Sequence, residues 1–470
     1  MARLFGTDGV RGLANGDVLT PELTMALALG AAVSLRPSTS CPGASASAGA
    51  SENSGEASAK PRVVIGRDTR PSGPMLEAAA AAGFASAGCD VVLLGVVPTP
   101  VVAWLCARGE ADMGLMISAS HNPMPDNGLK LFGAGGRKLS DEVEDAIAAR
   151  VMPTGTPVGD RPVGVAVGRV ETADRRHVSS YGEALLATLE APVPGLRVVV
   201  DCAHGAASVL APALYRQAGA HVTAIFADGD GQHINEGCGA THLQSLQAAV
   251  LAAGADVGLA HDGDADRCLA VDADGQVVDG DQILAICALG LRDRGRLPSG
   301  TVVATVMSNL GFLQAMRTAG IEVVQTAVGD RYVLEAMSAA GHTLGGEQSG
   351  HVVFGEHATT GDGLLTGLAI LGRMAATGAS LAELAAVVRP LPQVLLNVAA
   401  ERSRAGAADV LSAVMREEAE LQDVGRVLLR ASGTEPVVRV MVEAPTLAQA
   451  NAVAERLAMV VGAAPPVPLL

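Results

Sequence analysis

His261-Asp262-Gly263-Asp264-Ala265-Asp266-Arg267 sets three carboxylates at i, i+2 and i+4 among small residues. A curled loop with that spacing can turn all three onto one hard divalent cation. An EF-hand opens in the same way, but Arg267 stands where its sixth position needs Gly and Ala273 where its twelfth needs Glu. With only three carboxylates, the ion keeps room for a phosphate oxygen. A solvated acidic turn is the plain alternative. The nearby Asp272-Ala273-Asp274-Gly275 reads as a hairpin turn without chemistry.

A second constellation is Arg430-Ala431-Ser432-Gly433-Thr434-Glu435-Pro436, followed by Arg439. Successive backbone N–H groups and two hydroxyls can form an anion nest with Arg430 and Arg439 as forked donors, and a phosphate dianion is its natural guest. The competing reading is a surface hairpin with two solvated arginines. A third is Gly345-Gly346-Glu347-Gln348-Ser349-Gly350-His351. Glu347 and Ser349, two apart, suit vicinal sugar hydroxyls, and His351 can exchange protons near neutral pH. A lone loop histidine is more often structural. Arg11, Lys130 and Arg267 are further basic groups for an anion pocket, each otherwise a solvated charge.

The nucleophile candidate is Ser120. An apolar run, Met113 to Ile117, exits into Ser118-Ala119-Ser120-His121-Asn122-Pro123, then an expected Asn127-Gly128 turn and Lys130. The hydrolase elbow G-x-S-x-G does not fit, because Ser118 and Asn122 flank Ser120 at two residues. His121 is an awkward base for its own neighbour. A cation site, a phosphate nest and a sugar-reading loop together point to phosphoryl transfer with Ser120 as covalent carrier. The phosphoserine would be a further ligand of the metal.

These residues need a frame, and the chain spells one repeatedly. Arg62–Gly66, Arg197–Asp201 and Thr301–Thr305 are buried-strand patterns, each followed by a helical stretch, an Ala-Gly or Ala-Gly-like exit and a second strand. That is a βαβ unit written three times, with Gly for the left-handed helix exit. After the Pro390/Pro392 linker, a helix at 409–421, strands at 426–431 and 437–443 and a last helix at 446–461 are expected. The fold class is therefore α/β: three related α/β domains with mixed sheets (1–175, 176–279, 280–388) and a smaller C-terminal α+β domain (389–470). Residues 37–60 are low-complexity and read as a flexible insertion.

Composition narrows the classes. With 470 residues, several cores are required. A formal charge of −16 argues against a nucleic-acid or anionic-membrane partner. Seven scattered cysteines with no C-x-x-C pair fit buried thiols in a reducing cytoplasm. The apolar stretches 24–35 and 91–107 are too short, or too broken by proline, to span a bilayer.

The ordered set TDGVRG (from Thr7), SASHNP with NGLK, DGDADR, GEQSGH and RASGTEP resembles the α-D-phosphohexomutase superfamily over essentially the whole chain outside 37–60. Residues 6–12, Thr305–Asn309 and Val328–Val333 and the GEQSGH spelling are similar to the phosphoglucosamine mutases. The resemblance implies three α/β domains and a mobile fourth around a central cleft. It implies interconversion of glucosamine 6-phosphate and glucosamine 1-phosphate, for UDP-N-acetylglucosamine and cell-wall precursors. Ser120 would be the phosphoserine. Asp262, Asp264, Asp266 and Ser120 would hold one Mg²⁺ per active site, and glucosamine 1,6-bisphosphate or a similar bisphosphate would be the activating intermediate. Glu347 and Ser349 would read the sugar. Arg430, Ser432, Gly433, Thr434 and Arg439 would grip the phosphate that is not reacting. Arg11, Lys130, Arg267 and His351 would share charge stabilisation and proton transfer, with acid and base unassigned. The expected partner is a hexosamine phosphate, with no nucleic acid or membrane, in a cytoplasmic monomer or homodimer. The same chemistry on glucose or mannose phosphates is the alternative. A serine hydrolase and a non-catalytic sugar-phosphate sensor fit the residues less well.

Overall fold

The computed structural model describes residues 3–6, 8–35, 60–151, 161–174, 176–189, 192–193, 195–431 and 436–462. The expected insertion, apart from Lys60, lies outside them, as do Ser432, Gly433 and Thr434. The chain divides into two compact units, one of Met1–Val306 with Val324–Ala385 and another of Met307–Val323 with Ala386–Leu470.

Three sheets share one plan. The first contains β1 (Val10–Leu13), β2 (Arg62–Arg67), β3 (Asp90–Val96), β4 (Met113–Ile117), β5 (Asp126–Phe132) and β6 (Val170–Thr172), in the order β1-β5-β4-β2-β3-β6. The second contains β7 (Arg197–Asp201), β8 (His221–Ile225), β9 (Val257–His261), β10 (Cys268–Asp272) and β11 (Val277–Val278), in the order β11-β10-β9-β7-β8. The third comprises β12 (Thr301–Thr305), β13 (Glu322–Thr326), β14 (Leu344–Gly346) and β15 (Val352–Phe354), in the order β13-β12-β14-β15. In each, a central strand pairs in parallel with the strand that opens an antiparallel hairpin: β2 with β4, β7 with β9, β12 with β14. The hairpins are β4–β5, β9–β10 and β14–β15. Their turns hold Ser120, the three aspartates and Glu347/Ser349. One repeated element thus presents three different chemistries.

The helices follow from their patterns. Helix Gly73–Ser86 buries Leu76, Ala80 and Phe84 against Ile65, Leu115 and Ile117 of the sheet, an apolar stripe at helical period on buried strands. The expected glycine exits are left-handed, with φ +91° at Gly88, +106° at Gly219 and +72° at Gly320. Residues 91–107 resolve into β3 and helix Thr99–Ala107, and residues 24–35 fall mostly within helix Pro21–Ser34, started by the Thr20 cap on Leu23 N–H. Among the described residues, no helix is long and apolar enough to cross a membrane. The six described cysteines are buried thiols.

One expectation fails. Asn127-Gly128 is not a turn: both residues lie inside β5, opposite Gly12 and Arg11 of β1. Gly128 is demanded by close approach, since a Cβ there would collide with Ser118 O. The chain turns earlier, where Asp126 N–H donates to Pro123 O.

The second unit carries β16 (Gln393–Ala399), β17 (Arg426–Ala431) and β18 (Val437–Glu443) in the antiparallel order β16-β18-β17. Helices Ala408–Leu421 and Leu447–Gly462 pack Val410, Ala413, Val453 and Leu457 onto Val438, Val440 and Val442.

Candidate active site

Ser120 is the third residue beyond β4, buried, with a left-handed φ of +53°. Its Oγ donates to Asp262 Oδ2 at 2.5 Å and lies 3.4 Å from His121 Nδ1. Burial and the Arg267 and Arg11 charges push His121 down to about 4, so its imidazole is neutral at pH 7.

Asp262, Asp264 and Asp266 are all buried and each offers one oxygen within 4.8 Å of the others. The turn that gathers them is tight: Ala265 takes φ +58°, and Ala265 N–H donates to Asp262 O. Backbone donors from three other segments grip it, Thr99 N–H on Asp264 O, Ala206 N–H on Gly263 O and Gly363 N–H on Ala265 O. His261 anchors it from below, Nδ1 on Arg267 O at 3.0 Å and Nε2 on Tyr215 OH at 2.9 Å. Asp264 Oδ1 and Asp266 Oδ1 are buried with no hydrogen-bond partner. Burying carboxylate oxygens unpaired is costly, and an oxygen-seeking divalent cation answers that cost, so the donor set fits Mg²⁺. Burial together with Asp266 and Asp264 drives the Asp262 carboxyl well above its usual range, against the opposing pull of Arg267 and the Ser120 hydroxyl.

The basic groups expected from the sequence converge on the same place. Lys130, on β5, is fully buried and reaches Asp264 Oδ2 at 2.8 Å, Asp266 Oδ2 at 3.2 Å and Asp8 Oδ2 at 3.1 Å. Burial opposes its charge, but Asp264, Asp8 and Asp266 hold the ammonium well above its ordinary pKa. Arg267 Nε stands 3.9 Å from Asp262 and 3.8 Å from Asp266, and Arg11 pairs with Asp8. Both guanidinium Nε–H groups are buried and make no hydrogen bond. His351, buried, accepts from Gly361 N–H through Nε2 at 3.1 Å, which leaves the proton on Nδ1, 3.8 Å from Asp266. Gly361 must lack a side chain, because a Cβ would collide with that ring. Glu347 accepts from Gly329 N–H at 3.2 Å, and Ser349 Oγ lies 3.5 Å from its other oxygen.

Several residues of this site escaped the sequence reading. Lys138 bridges Asp8 and Asp330, and Asp330 faces His351 Nε2 at 3.7 Å. With Lys130 and Asp266 they close a ring of alternating charge. Thr99 Oγ1 donates to Asp264 Oδ2 at 2.6 Å. Asp8 and Asp330 lie inside segments already singled out, but Lys138 and Thr99 have no local signature.

In the second unit, Arg430 and Arg439 sit directly opposite one another on β17 and β18. Like charges in that register repel. Burial and Arg439 lower the Arg430 pKa, and Arg439 Nε is buried without a partner. An anion between them would relieve both.

Comparison with known proteins identifies the family of the chain. Residues 2–155, 177–275 and 279–391 match the alpha/beta/alpha domains I, II and III of phosphoglucomutase/phosphomannomutase, and 395–460 match its C-terminal domain. A phosphoglucosamine mutase of Frankia casuarinae is 61% identical over 99% of both chains. One from Frankia alni is 60% identical over the full length of both. In fold, the chain resembles a phosphoglucomutase/phosphomannomutase family protein of Burkholderia thailandensis, with TM-score 0.77 at 24% identity over 98% of this chain and 97% of the other. The chain therefore belongs to the phosphoglucomutase/phosphomannomutase family and, within it, to the phosphoglucosamine mutases.

Proposed function

We propose that the chain interconverts glucosamine 6-phosphate and glucosamine 1-phosphate through a phosphorylated Ser120 and a 1,6-bisphosphate, as an isomerase of the phosphohexomutase type. One observation carries the reading: a single buried site holds two carboxylate oxygens, Asp264 Oδ1 and Asp266 Oδ1, and two guanidinium groups, Arg11 Nε–H and Arg267 Nε–H, that make no hydrogen bond, together with the Ser120 hydroxyl. The acceptors await a cation and the donors an anion, which is what a metal-bound phosphoserine supplies.

In the forward transfer, the bond between phosphorus and Ser120 Oγ breaks and a bond to the free hydroxyl of the monophosphate forms. The hydroxyl proton leaves to a neighbouring base, and Oγ keeps its electron pair and is reprotonated. The bisphosphate then turns over, and its other phosphoryl group returns to Ser120 by the reverse step. Arg11 and Arg267 cannot give up their protons and serve as charge stabilisers. Lys130, held as an ammonium, supplies charge and a proton, and His351, whose pKa Asp266 and Asp330 raise against its burial, is the second group placed for proton transfer. Mg²⁺ held by Asp262, Asp264, Asp266 and the Ser120 phosphate would neutralise the phosphoryl oxygens.

Glu347 and Ser349 read the sugar in this scheme. Arg430, Ser432, Gly433, Thr434 and Arg439 hold the phosphate that is not reacting. The four parts 1–175, 176–279, 280–388 and 389–470 act as carrier, metal, sugar and phosphate domains. The product feeds UDP-N-acetylglucosamine and peptidoglycan precursors in the cytoplasm, and buried thiols suit that compartment.

The test is a comparison of glucosamine, glucose and mannose 6-phosphates as substrates of the purified chain with Mg²⁺ and a trace of hexose bisphosphate. The reading requires the highest kcat/KM for glucosamine 6-phosphate. A higher value for glucose or mannose 6-phosphate would move the chain to the alternative sugar.

A further inference from the structure

Ser120 is one of few described non-glycine residues with a left-handed backbone, and a side chain there is strained unless its surroundings impose it. The imposing groups are Arg70 and Asn235, which the mechanism above does not use. Arg70 is fully buried, with 0% of its surface exposed. Its Nε pairs with Asp68 at 2.9 Å. Nη1 donates to Pro123 O and to Asp126 O at 2.9 Å, and Nη2 to Ser120 O at 3.0 Å and Asn122 O at 2.8 Å. One guanidinium thus holds four carbonyls of the nucleophile turn.

Asn235 reaches the same turn from the far side of the chain's sequence. Its Nδ2 donates to Ser120 O at 2.9 Å and Asn122 O at 3.0 Å, the two carbonyls that Arg70 Nη2 also holds. Only the amide nitrogen can face two carbonyl oxygens, so the orientation of the side chain is fixed by chemistry. Asp68 completes the frame: its Oδ2 accepts from Ser118 Oγ at 2.6 Å, and that oxygen accepts from Ser120 N–H at 2.9 Å. Every polar backbone group of Ser120 is thereby fixed, and the only torsion left to aim Oγ is its own χ1.

We propose that Arg70 and Asn235 are positioning residues that hold Ser120 in its left-handed conformation and so keep the phosphoryl carrier aligned with the metal loop. The inference rests on the reading of Ser120 as the carrier. Neither residue touches the reacting atoms. Their effect is on the alignment of Oγ, where a displacement of about 1 Å can cost roughly a hundredfold in rate.

The experiment uses full-length Asn235→Ala and Arg70→Lys, loaded with phosphoryl groups by glucose 1,6-bisphosphate and compared with the parent by circular dichroism, intact mass and steady-state kinetics. In Asn235→Ala the fold and the Ser120 phosphoryl group are retained, kcat falls roughly 10- to 100-fold and KM stays within about twofold. In Arg70→Lys, whose ammonium cannot span four carbonyls and Asp68, kcat falls further. If Arg70→Lys does not fold, Asn235→Ala decides alone. A folded, phosphorylated Asn235→Ala with parental kcat, or one whose only change is in KM, overturns the proposal. A parent chain that never takes up a phosphoryl group instead defeats the carrier reading beneath it.

Discussion

The Ser120 turn and the Asp262–Asp266 turn occupy the same position in two copies of one hairpin plan, yet they are held in opposite ways. Both contain a non-glycine residue at positive φ, Ser120 at +53° and Ala265 at +58°. The metal turn is gripped mainly by backbone N–H groups on its carbonyls, with His261 beneath, which leaves its carboxylates free to converge. The nucleophile turn is gripped by side chains, Arg70 and Asn235, on its backbone carbonyls. In the third hairpin the left-handed position is a glycine, Gly350 at φ +87°, so no side chain is strained there. A turn that must collect charge uses rigid backbone donors. A turn that must aim one hydroxyl needs a clamp on its own peptide groups.

Breaking the two turns separates their roles. Ser120→Ala removes the carrier and leaves the clamp intact, so kcat should drop by roughly 10⁴-fold or more with normal thermal stability, read by coupled assay and calorimetry. Asp264→Asn leaves the backbone grip on the metal turn but removes a ligand charge. Calorimetric Mg²⁺ affinity should fall by roughly 100-fold, and added Mg²⁺ should restore part of the lost activity. In the second unit, Arg439→Ala should raise KM about 10- to 100-fold by removing a charge-assisted phosphate contact. The same change should stabilise the ligand-free protein by about 0.2–1 kcal/mol, because the opposed arginine pair is gone. A fall in both quantities would deny that the pair is built for an anion.

The smallest expected effect on rate tests the support of the metal turn. Asp362 is buried, caps helix Gly363–Thr377 through Leu365 N–H and accepts from Tyr181 OH at 2.6 Å. Burial raises its carboxyl to about 6, against the donors from Leu365, Tyr181 and Leu364. A carboxyl raised in the folded state stabilises the fold when protonated, so its contribution is full below about 4 and is lost as pH rises through about 6. Asp362→Asn keeps a cap without the charge. Its melting temperature should exceed the parent's at pH 8, and the gap should close by pH 4, with little change in kcat. A constant gap across that range would contradict this account.

How much of this was legible depends on how far apart the partners lie. The aspartates sit at i, i+2 and i+4, so local spacing marked a cluster that the fold gathers within one turn. The strands and helices of the three repeats were equally visible, since buried parallel strands read as unbroken apolar runs. The Asn127-Gly128 pair was misread because Gly there answers a close approach of Ser118 O, a tertiary fact that imitates turn composition. Arg70 and Asn235 reach Ser120 across 50 and 115 residues, and Lys138 reaches Asp330 across 192. No local pattern marks such pairs. They become visible only when the sheets bring the hairpin turns together.

The central claim is that Ser120 carries the phosphoryl group. Its most direct measurement is the intact mass of the chain after incubation with hexose 1,6-bisphosphate and Mg²⁺, followed by rapid mixing with excess glucosamine 6-phosphate lacking bisphosphate. The account predicts one added phosphoryl group that maps to Ser120, that is discharged to the sugar within a turnover time, and that is absent in Ser120→Ala. Turnover at the normal rate by a chain that never gains that mass would contradict it.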